Sequence, residues 1–465
     1  MRQFDATHSE LERLAQFQNG PSQLRIGLLG FGVVGRAVLN YLIGLGCKKL
    51  YVMDSNLDLE YPDVEHVEWY LGPLQNSWFK DLDYLFIGPG VDPRQSHLVE
   101  ARENGTLVVG ELSTLGSIPK DVIAITGTNG KSTTTAWAGY ILKRLDTSVF
   151  VGGNLGEPIT NWAMRSYSES IGVLELSSYQ LETAYTFSPK VSVLTNFAPD
   201  HAARYDNERE YYRSKEGVYR NQGPDDILVI NSNLLSQLSI KPSAQVYAFG
   251  ESTDGDGFVE RNQRWVGYGK FAKTDLAWAP LKAPGRHNAE NALCAVLSVW
   301  AVRDEVDCLD TLWNVALGFG GLEHRLEYVS EVEGIRFYND SKATNDESAA
   351  TALAALDDRI IWLAGGVSKN AGYTSSLKYL HSNVTHLIAF GAAGSEILDA
   401  SVLAGFDKAR TDIAPNLEEA IEVAFQVAQK GDKVLLAPAC ASFDEFRNFE
   451  ERGEFFKSKV LERMS

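Results

Sequence analysis

Cysteine is scarce in this chain. Cys47, Cys294, Cys308 and Cys440 are the four in 465 residues, and no two form a CxxC pair. That excludes a disulfide framework or a zinc ribbon and fits a reducing compartment. Basic charge is also in deficit, with 43 Lys and Arg against 61 Asp and Glu, a net charge of −18. Such a surface repels phosphate backbones, so no nucleic-acid partner is expected, although a local pocket could still take one nucleotide through backbone N–H groups. Long apolar runs are missing. The most apolar early stretch, Leu24 to Gly46, is interrupted by Arg25, Arg36 and Asn40, short of the roughly 20 residues of a membrane span. The opening MRQFDATHSELERLAQFQNGPSQ has early acidic residues and no apolar core. The expectation is a protein without a signal peptide, cytoplasmic and with no membrane span. No repeat or low-complexity tract is present. A composition of 44% hydrophobic and 22% charged residues excludes disordered, collagen-like and coiled-coil chains. At roughly 150 residues per domain the length suggests about three domains.

What is present is alternation. LRIGLLGF reads as a buried strand, GRAVLNYLIGLG as the helix after it, and KKLYVMD, LDYLFIGPG and GTLVVGE as further strands of one sheet. From Ile118, DVIAITGTNGKSTTTAWAGYILKRL reads as strand, glycine loop and helix, followed by IGVLELSS, VSVLTNF, DILVINSN, AQVYAFG and QRWVGYG. From Gly321, the strands IRFYNDS, RIIWLAGG, THLIAFG and DKVLLAPA alternate with helical segments such as LEEAIEVAFQVAQK. This predicts α/β architecture with parallel sheets. Ligands of such sheets sit beyond the carboxyl ends of the strands, so the polar residues there matter most.

The strongest motif is Gly127-Thr128-Asn129-Gly130-Lys131-Ser132-Thr133, between a strand and a helix. Glycines let a loop wrap a phosphate, and the helix amino end offers free N–H groups. Lys131 suits the β- and γ-phosphates and Ser132 suits Mg²⁺. The loop is two residues shorter than the usual phosphate loop; the bland alternative is a glycine turn capping a helix. Gly30-Phe31-Gly32-Val33-Val34-Gly35, with Asp54 at the end of the next strand, matches a dinucleotide-binding fingerprint. On those residues alone a nicotinamide-dependent oxidoreductase stays open, as does a close-packed turn without ligand. Glu175, Asp200-His201 and Lys215 follow the central strands, where a carboxylate and an imidazole beside a phosphate loop could hold Mg²⁺. His324-Arg325, Asn339 to Asn345, Gly365 to Lys369, and Ala441-Ser442 with Phe449 follow the last strands. Lys, Thr and Ser there suit an anionic ligand, or are ordinary helix caps.

TGTNGKST, GGNLG (Gly152 to Gly156), LELSSYQL, Asp200-His201, RHNAENA (Arg286 to Ala292), His324-Arg325 and DSKATN (Asp340 to Asn345) occur in that order. The combination resembles the Mur ligases, the ATP-dependent amino-acid-adding enzymes of peptidoglycan synthesis. The closing PACASFDEFRNFEERG (Pro438 to Gly453) is similar to the glutamate-adding branch. The resemblance covers nearly the whole chain after the first 20 or so residues. It implies three domains: a Rossmann-like one over 1–112 for the uridine nucleotide, a central P-loop-type ATPase over 113–320, and a Rossmann-like glutamate-binding one over 321–465. It implies ligation of D-glutamate to UDP-N-acetylmuramoyl-L-alanine through an acyl phosphate, with ATP and two Mg²⁺ ions, by a protein expected to be a monomer. It also implies a hinge near Gly318 to Leu322.

By that resemblance Gly30, Phe31, Val33, Asp54, Ser55 and Gly88-Pro89-Gly90 line the uridine site, and Asn154, Ser177 and Gln180 meet the muramoyl part. ATP falls to Gly127 through Thr133, with Asn288 and Asn291 at the adenine and Arg325, Asp340 and Lys342 joining them. Ser132, Glu175, His201 and Lys215 are the metal set. An ammonium has no lone pair for Mg²⁺, so Lys215 is expected as a carbamate formed with CO₂. Lys131, His201, Lys215 and Asn154 carry the catalytic roles, and Thr344, Lys369, Ser442 and Phe449 the glutamate pocket. Two positions depart from the family pattern: Val367 stands where an acidic residue is common, and Ala203 where an aspartate is usual. Val367 keeps open the variant ligase that adds L-glutamate. A non-catalytic nucleotide-binding module is disfavoured by Lys131, Glu175, His201, Lys215 and Asp340 occurring together.

Overall fold

The computed structural model describes residues 8–18, 21–114, 121–154, 156–165, 169, 171–198, 204–251, 255–279, 281–282, 285–304, 308–356, 358–368 and 372–463. The chain forms two compact units. One comprises Met1–Trp278 with Glu290–Ala316, the other Ala279–Ala289 with Leu317–Ser465.

The first unit holds two sheets. Strands β1 (Ile26–Leu29), β2 (Leu50–Asp54), β3 (Val67–Leu71), β4 (Tyr84–Ile87) and β5 (Leu107–Val109) pair in parallel in the order β3-β2-β1-β4-β5. β1 and β4 are buried along their whole length, as expected for parallel strands covered on both faces. The chain reverses direction across this sheet between β1 and β4, which opens a crevice at their carboxyl ends.

The second sheet has β6 (Val122–Thr126), β7 (Val149–Gly153), β8 (Ile171–Glu175), β9 (Val191–Leu194), β10 (Ile227–Asn231), β11 (Gln245–Gly250), β12 (Gly257–Glu260), β13 (Arg264–Tyr268) and β14 (Asp275–Ala277). Their order is β14-β13-β12-β11-β10-β9-β6-β8-β7, antiparallel only where β13 meets β12 and β14. β6 lies between β8 and β9, so the loop after β6 emerges at the switch point.

The second unit is built on β15 (Glu327–Val332), β16 (Ile335–Asn339), β17 (Ile360–Gly365), β18 (Val384–Phe390), β19 (Thr411–Ala414) and β20 (Lys433–Ala439), in the order β15-β16-β20-β17-β18-β19. The last strand inserts between β16 and β17. The loops after these three strands therefore crowd together at their carboxyl ends.

The amino-terminal extension is a structural element. Helix His8–Gln18 buries Leu14 and Phe17 against the first sheet, with the Phe17 ring 5.2 Å from Tyr84 and 5.7 Å from Phe86. The Arg13 guanidinium donates to the carbonyls of Gly105 and Asp83 at 2.7 and 2.6 Å, and the Tyr84 hydroxyl donates to the Arg13 carbonyl at 2.6 Å. Asp83 and Gly105 precede β4 and β5, so the helix closes the amino ends of the strands, opposite the crevice. Leu14→Ala is expected to cost about 2–5 kcal/mol of stability in urea denaturation while turnover at saturating substrates stays unchanged. Undiminished stability would contradict this role.

Candidate active site

The loop after β6 owes its shape to residues that only small or polar side chains satisfy. Gly127 has φ 147°, and a Cβ there would sit 1.9 Å from the Thr195 Oγ1. Neighbouring groups pin the loop. The Thr128 N–H donates to the Asn196 carbonyl at 3.0 Å and the Asn129 N–H to the Asn196 Oδ1 at 2.8 Å. The Thr195 hydroxyl and the Asn196 amide both donate to the Asn129 carbonyl, at 2.7 and 2.9 Å. Gly130, left-handed, is the N-cap of helix Lys131–Arg144, so Lys131, Ser132 and Thr133 form its first turn. Free N–H groups and the positive end of the helix dipole meet there. The Lys131 ammonium bends back to donate to the carbonyls of Gly127 (3.0 Å) and Thr128 (2.8 Å).

Three further groups converge on this loop. The Lys215 ammonium, on helix Glu208–Lys215, is 1% exposed, donates to the Gly127 carbonyl at 2.8 Å and lies 4.4 Å from the centre of the Tyr211 ring. Asn291 meets the loop from helix Arg286–Val302: the Thr134 hydroxyl donates to its Oδ1 at 3.2 Å. Asn288 lies one turn before it on the same helix, also buried. Glu175 closes β8 beside β6, its backbone paired in register with Ile125. Its Oε1 accepts the Asn154 amide at 2.7 Å, while its buried Oε2 has no hydrogen-bond partner among the described residues. A buried carboxylate oxygen without a donor is costly unless a cation meets it. A carboxylate oxygen is a ligand type that suits Mg²⁺. His201 lies outside the described residues.

At the first sheet's crevice, Gly35 packs so tightly that a Cβ would come 2.1 Å from the Gly30 carbonyl oxygen. The Asp54 carboxylate accepts the N–H of Phe31 at 2.8 Å and of Asn56 at 2.9 Å, tying the loop after β1 to the loop after β2. Val33 is 71% exposed and Ser55 is exposed, both open to a ligand. Phe31 is different: its ring is buried edge-on to Trp69 at 4.8 Å and beneath the Arg36 guanidinium at 4.4 Å. Its ring is therefore part of the core, and its N–H is held by Asp54. Gly88, Pro89 and Gly90 follow β4, with the Gly88 N–H donating to the Leu29 carbonyl at 2.9 Å. Ser177 and Gln180 form a reciprocal cap on the short helix Ser178–Leu181, so both already have structural work after β8.

In the second unit the loops after β16 and β20 meet. Asp340 is buried; its Oδ1 accepts the Leu326 N–H at 3.2 Å. Burial pushes its carboxyl up to about 7, against the pull of that N–H and of the Arg325 and Lys342 charges. The Lys342 ammonium lies 5.5 Å from the Phe449 ring centre. Thr344 is half-buried two residues on, and Ser442 is buried after β20. Val367 is 36% exposed and pairs through its backbone with Ala441. Lys369 lies outside the described residues.

Family comparison covers all three sheets. The Mur ligase MurD-like N-terminal domain matches residues 25–110, the Mur ligase middle domain 125–299, and the Mur ligase glutamate ligase domain 324–440. A UDP-N-acetylmuramoylalanine–D-glutamate ligase from Caldanaerobacter subterraneus subsp. tengcongensis is 33% identical over 449 residues, covering 94% of this chain and 98% of that protein. The chain belongs to the Mur ligase family. A protein of the same name from Pelotomaculum thermopropionicum is 34% identical over 454 residues, covering 94% of this chain and 97% of that protein. Among solved structures, a UDP-N-acetylmuramoyl-L-alanyl-D-glutamate–2,6-diaminopimelate ligase has a TM-score of 0.57 at 16% identity, covering 82% of this chain and 92% of that one. MurF from Thermotoga maritima in complex with ADP has 0.53 at 14%, covering 95% and 96%. These two share the fold.

This Mur ligase also relies on Arg452, which the motifs did not single out, and on Asn339, which they carried without a structural role. Arg452, fully buried in helix Phe449–Glu462, donates to the Ser341 hydroxyl at 3.0 Å, the Ser341 carbonyl at 2.9 Å and the Cys440 carbonyl at 3.1 Å. It locks the DSKATN loop to the loop after β20. Nothing in FRNFEERG marks it; a buried arginine is legible only once its carbonyl partners are known. Asn339 likewise bonds the His324 Nδ1 at 3.0 Å and the Glu327 Oε2 at 3.0 Å, fixing the turn that carries Arg325.

Asp340 makes stability depend on pH in a stated direction. Its carboxyl titrates near 3.8 when free and at about 7 in the native state. Below pH 4 both states hold the proton. Between pH 4 and 7 the unfolded chain loses it and the native chain keeps it, so stability falls as pH rises, then levels off. The total is a few kcal/mol at about 1.4 kcal/mol per unit. Asp340→Asn is expected to gain stability on the wild type from pH 4.5 to 7.5 in urea denaturation. An unchanged difference across that range would contradict the buried, protonated carboxyl.

Proposed function

We propose that this Mur ligase joins D-glutamate to UDP-N-acetylmuramoyl-L-alanine at the expense of ATP, the step of peptidoglycan synthesis its full-length relatives are named for. The single observation that carries the reading is that relatedness: about one residue in three over 94% of the chain and 98% of the relative, across the three sheets. Limits of 1–112, 113–320 and 321–465 for the nucleotide, ATP and glutamate domains go with it.

The chemistry asks for what the loop offers. A carboxylate is a poor acyl donor because its leaving group would be oxide. The γ-phosphoryl group of ATP moves to the lactoyl-alanine carboxylate, the glutamate amine attacks the acyl phosphate, and phosphate leaves. Positioning and charge neutralisation do most of the work in such transfers. The N–H groups from Gly127 to Thr133 would cradle the phosphates, and Lys131 would swing from the loop carbonyls to the transferring group. Asn288 and Asn291 would meet the adenine, and Arg325, Asp340 and Lys342 would complete the ATP set. Gly30, the Phe31 backbone, Val33, Asp54, Ser55 and Gly88 to Gly90 would hold the uridine nucleotide. Asn154, Ser177 and Gln180 would meet its muramoyl end. Thr344, Lys369, Ser442 and Phe449 would receive glutamate.

The residues present fit Mg²⁺: the Glu175 Oε2 awaits a cation, and Ser132, His201 and Lys215 would complete the set for two ions. Held by these residues, Mg²⁺ would supply charge neutralisation of the phosphates. Lys215 would bind it as the CO₂-derived carbamate, whose oxygens replace an ammonium that cannot ligate. No helix among the described residues is long and apolar enough to cross a membrane; a cytoplasmic monomer is the reading that suits a soluble nucleotide substrate.

Phosphate release by the purified protein tests this with ATP, Mg²⁺, the nucleotide and either glutamate enantiomer. Release that needs D-glutamate supports the reading. Release with L-glutamate alone would move the enzyme to the L-glutamate-adding variant, as Val367 in place of an acidic residue would allow. No release with either would overturn it.

A further inference from the structure

Arg204 follows His201 by three residues, and nothing in the phosphate chemistry claims it. Its guanidinium is buried where the first sheet meets the second, within one compact unit. From the central sheet's side, the Glu182 carboxylate, itself buried, accepts from its Nη2 at 2.6 Å, and the Tyr179 ring centre lies 4.5 Å away. From the first sheet's side, the Val91 carbonyl accepts from the same nitrogen at 3.0 Å, and the Asp92 Oδ1 lies 3.9 Å from its Nε. Asp92 is oriented by Arg94, whose Nε and Nη2 donate to the two carboxylate oxygens at 3.0 and 2.9 Å.

Those partners are not scattered. Val91 directly follows Gly88-Pro89-Gly90, and Tyr179 lies between Ser177 and Gln180. One cation therefore joins the loop that closes the first crevice to the capped turn after β8. One nitrogen makes both hydrogen bonds while the guanidinium carbon sits 4.5 Å over the Tyr179 ring; an ammonium can donate to the same oxygens but lacks the planar group that stacks on a ring face. We propose that Arg204 is a positioning residue for the nucleotide substrate. It sets the spacing between the loop holding the uridine end and the turn meeting the muramoyl end, so that the substrate carboxylate reaches the phosphate loop. This rests on the function proposed above. The bonds that pin the ATP loop run to Thr195, Asn196 and Ala198, and none of them is made by Arg204.

The test separates the two substrates. In Arg204→Lys, the charge stays opposite Glu182 while the planar group over the Tyr179 ring is lost, so the variant is expected to fold. The KM for UDP-N-acetylmuramoyl-L-alanine should rise at least tenfold, while the KM for ATP moves less than threefold. Arg204→Met with Glu182→Gln removes both buried charges and should show the same split. Calorimetric titration with UDP-N-acetylmuramoyl-L-alanine should show the matching loss of affinity. Equal changes in both KM values, or a fall in thermal stability with unchanged KM values, would overturn the proposal. If the wild type binds the nucleotide without turning over, the function reading fails while the binding comparison still judges Arg204. If the wild type does not bind it, both fail.

Discussion

Lys131→Ala is expected to lower phosphate release about a thousandfold at saturating ATP, with the fold intact. Removing one preorganised donor from developing charge costs about 10² to 10³ in rate, and Lys131 brings a full charge as well. Its present bonds to the Gly127 and Thr128 carbonyls are replaceable by water at a part-exposed loop, so stability should shift by less than about 1 kcal/mol. Circular dichroism and urea denaturation check the fold, and steady-state phosphate release checks the rate. A loss below tenfold would remove Lys131 from the chemistry.

Glu175→Gln is expected to pull activity and stability in opposite directions. The amide keeps the size and can still accept from Asn154 through its oxygen, so β8 should be undisturbed. What disappears is the carboxylate Oε2, which has no hydrogen-bond partner among the described residues. A buried charge without a partner weakens the native state, so the metal-free variant should be more stable than the wild type by about 1–3 kcal/mol. Turnover should fall at least a hundredfold, and the Mg²⁺ concentration for half-maximal rate should rise. Such opposition marks a residue kept for function against stability. Lower stability together with unchanged Mg²⁺ dependence would show that Glu175 is a packing residue.

Much of the fold was legible because its strands are short apolar runs ending in small or polar residues. IGLL, VIAIT and IIWLAG are buried along their whole lengths, and each was read from its run. Apart from the edge strand β7, a short VFVGG run, the strands that escaped notice are those without such a run. β3 is partly exposed throughout and carries Glu68 and Trp69, β12 is four residues long and starts at Gly257, and β19 alternates threonine, aspartate and isoleucine. Edge position explains β3, β14 and β19: one open side needs fewer apolar residues.

The phosphate loop was legible for a different reason, since glycine spacing before a lysine has few other uses. The first glycine motif was legible as a turn, while its glycines and Asp54 left the ligand open. Asp54 uses both carboxylate oxygens on backbone N–H groups, a local role that sequence spacing cannot separate from binding a ribose. The Phe31 ring turns inward for a similar reason: Trp69 and Arg36, 38 and five residues away in sequence, make its pocket. Arg452 and Arg204 stayed silent because what defines them is carbonyl and carboxylate partners from distant loops.

The central claim is that ATP activates the nucleotide's carboxylate as an acyl phosphate before glutamate attacks. Oxygen-18 in that carboxylate tests it most directly. The purified enzyme would be given labelled UDP-N-acetylmuramoyl-L-alanine, ATP, Mg²⁺ and D-glutamate, and the released phosphate analysed by mass. One labelled oxygen per phosphate, with ADP as the other product, is the result predicted. Unlabelled phosphate, or label in AMP, would contradict the account.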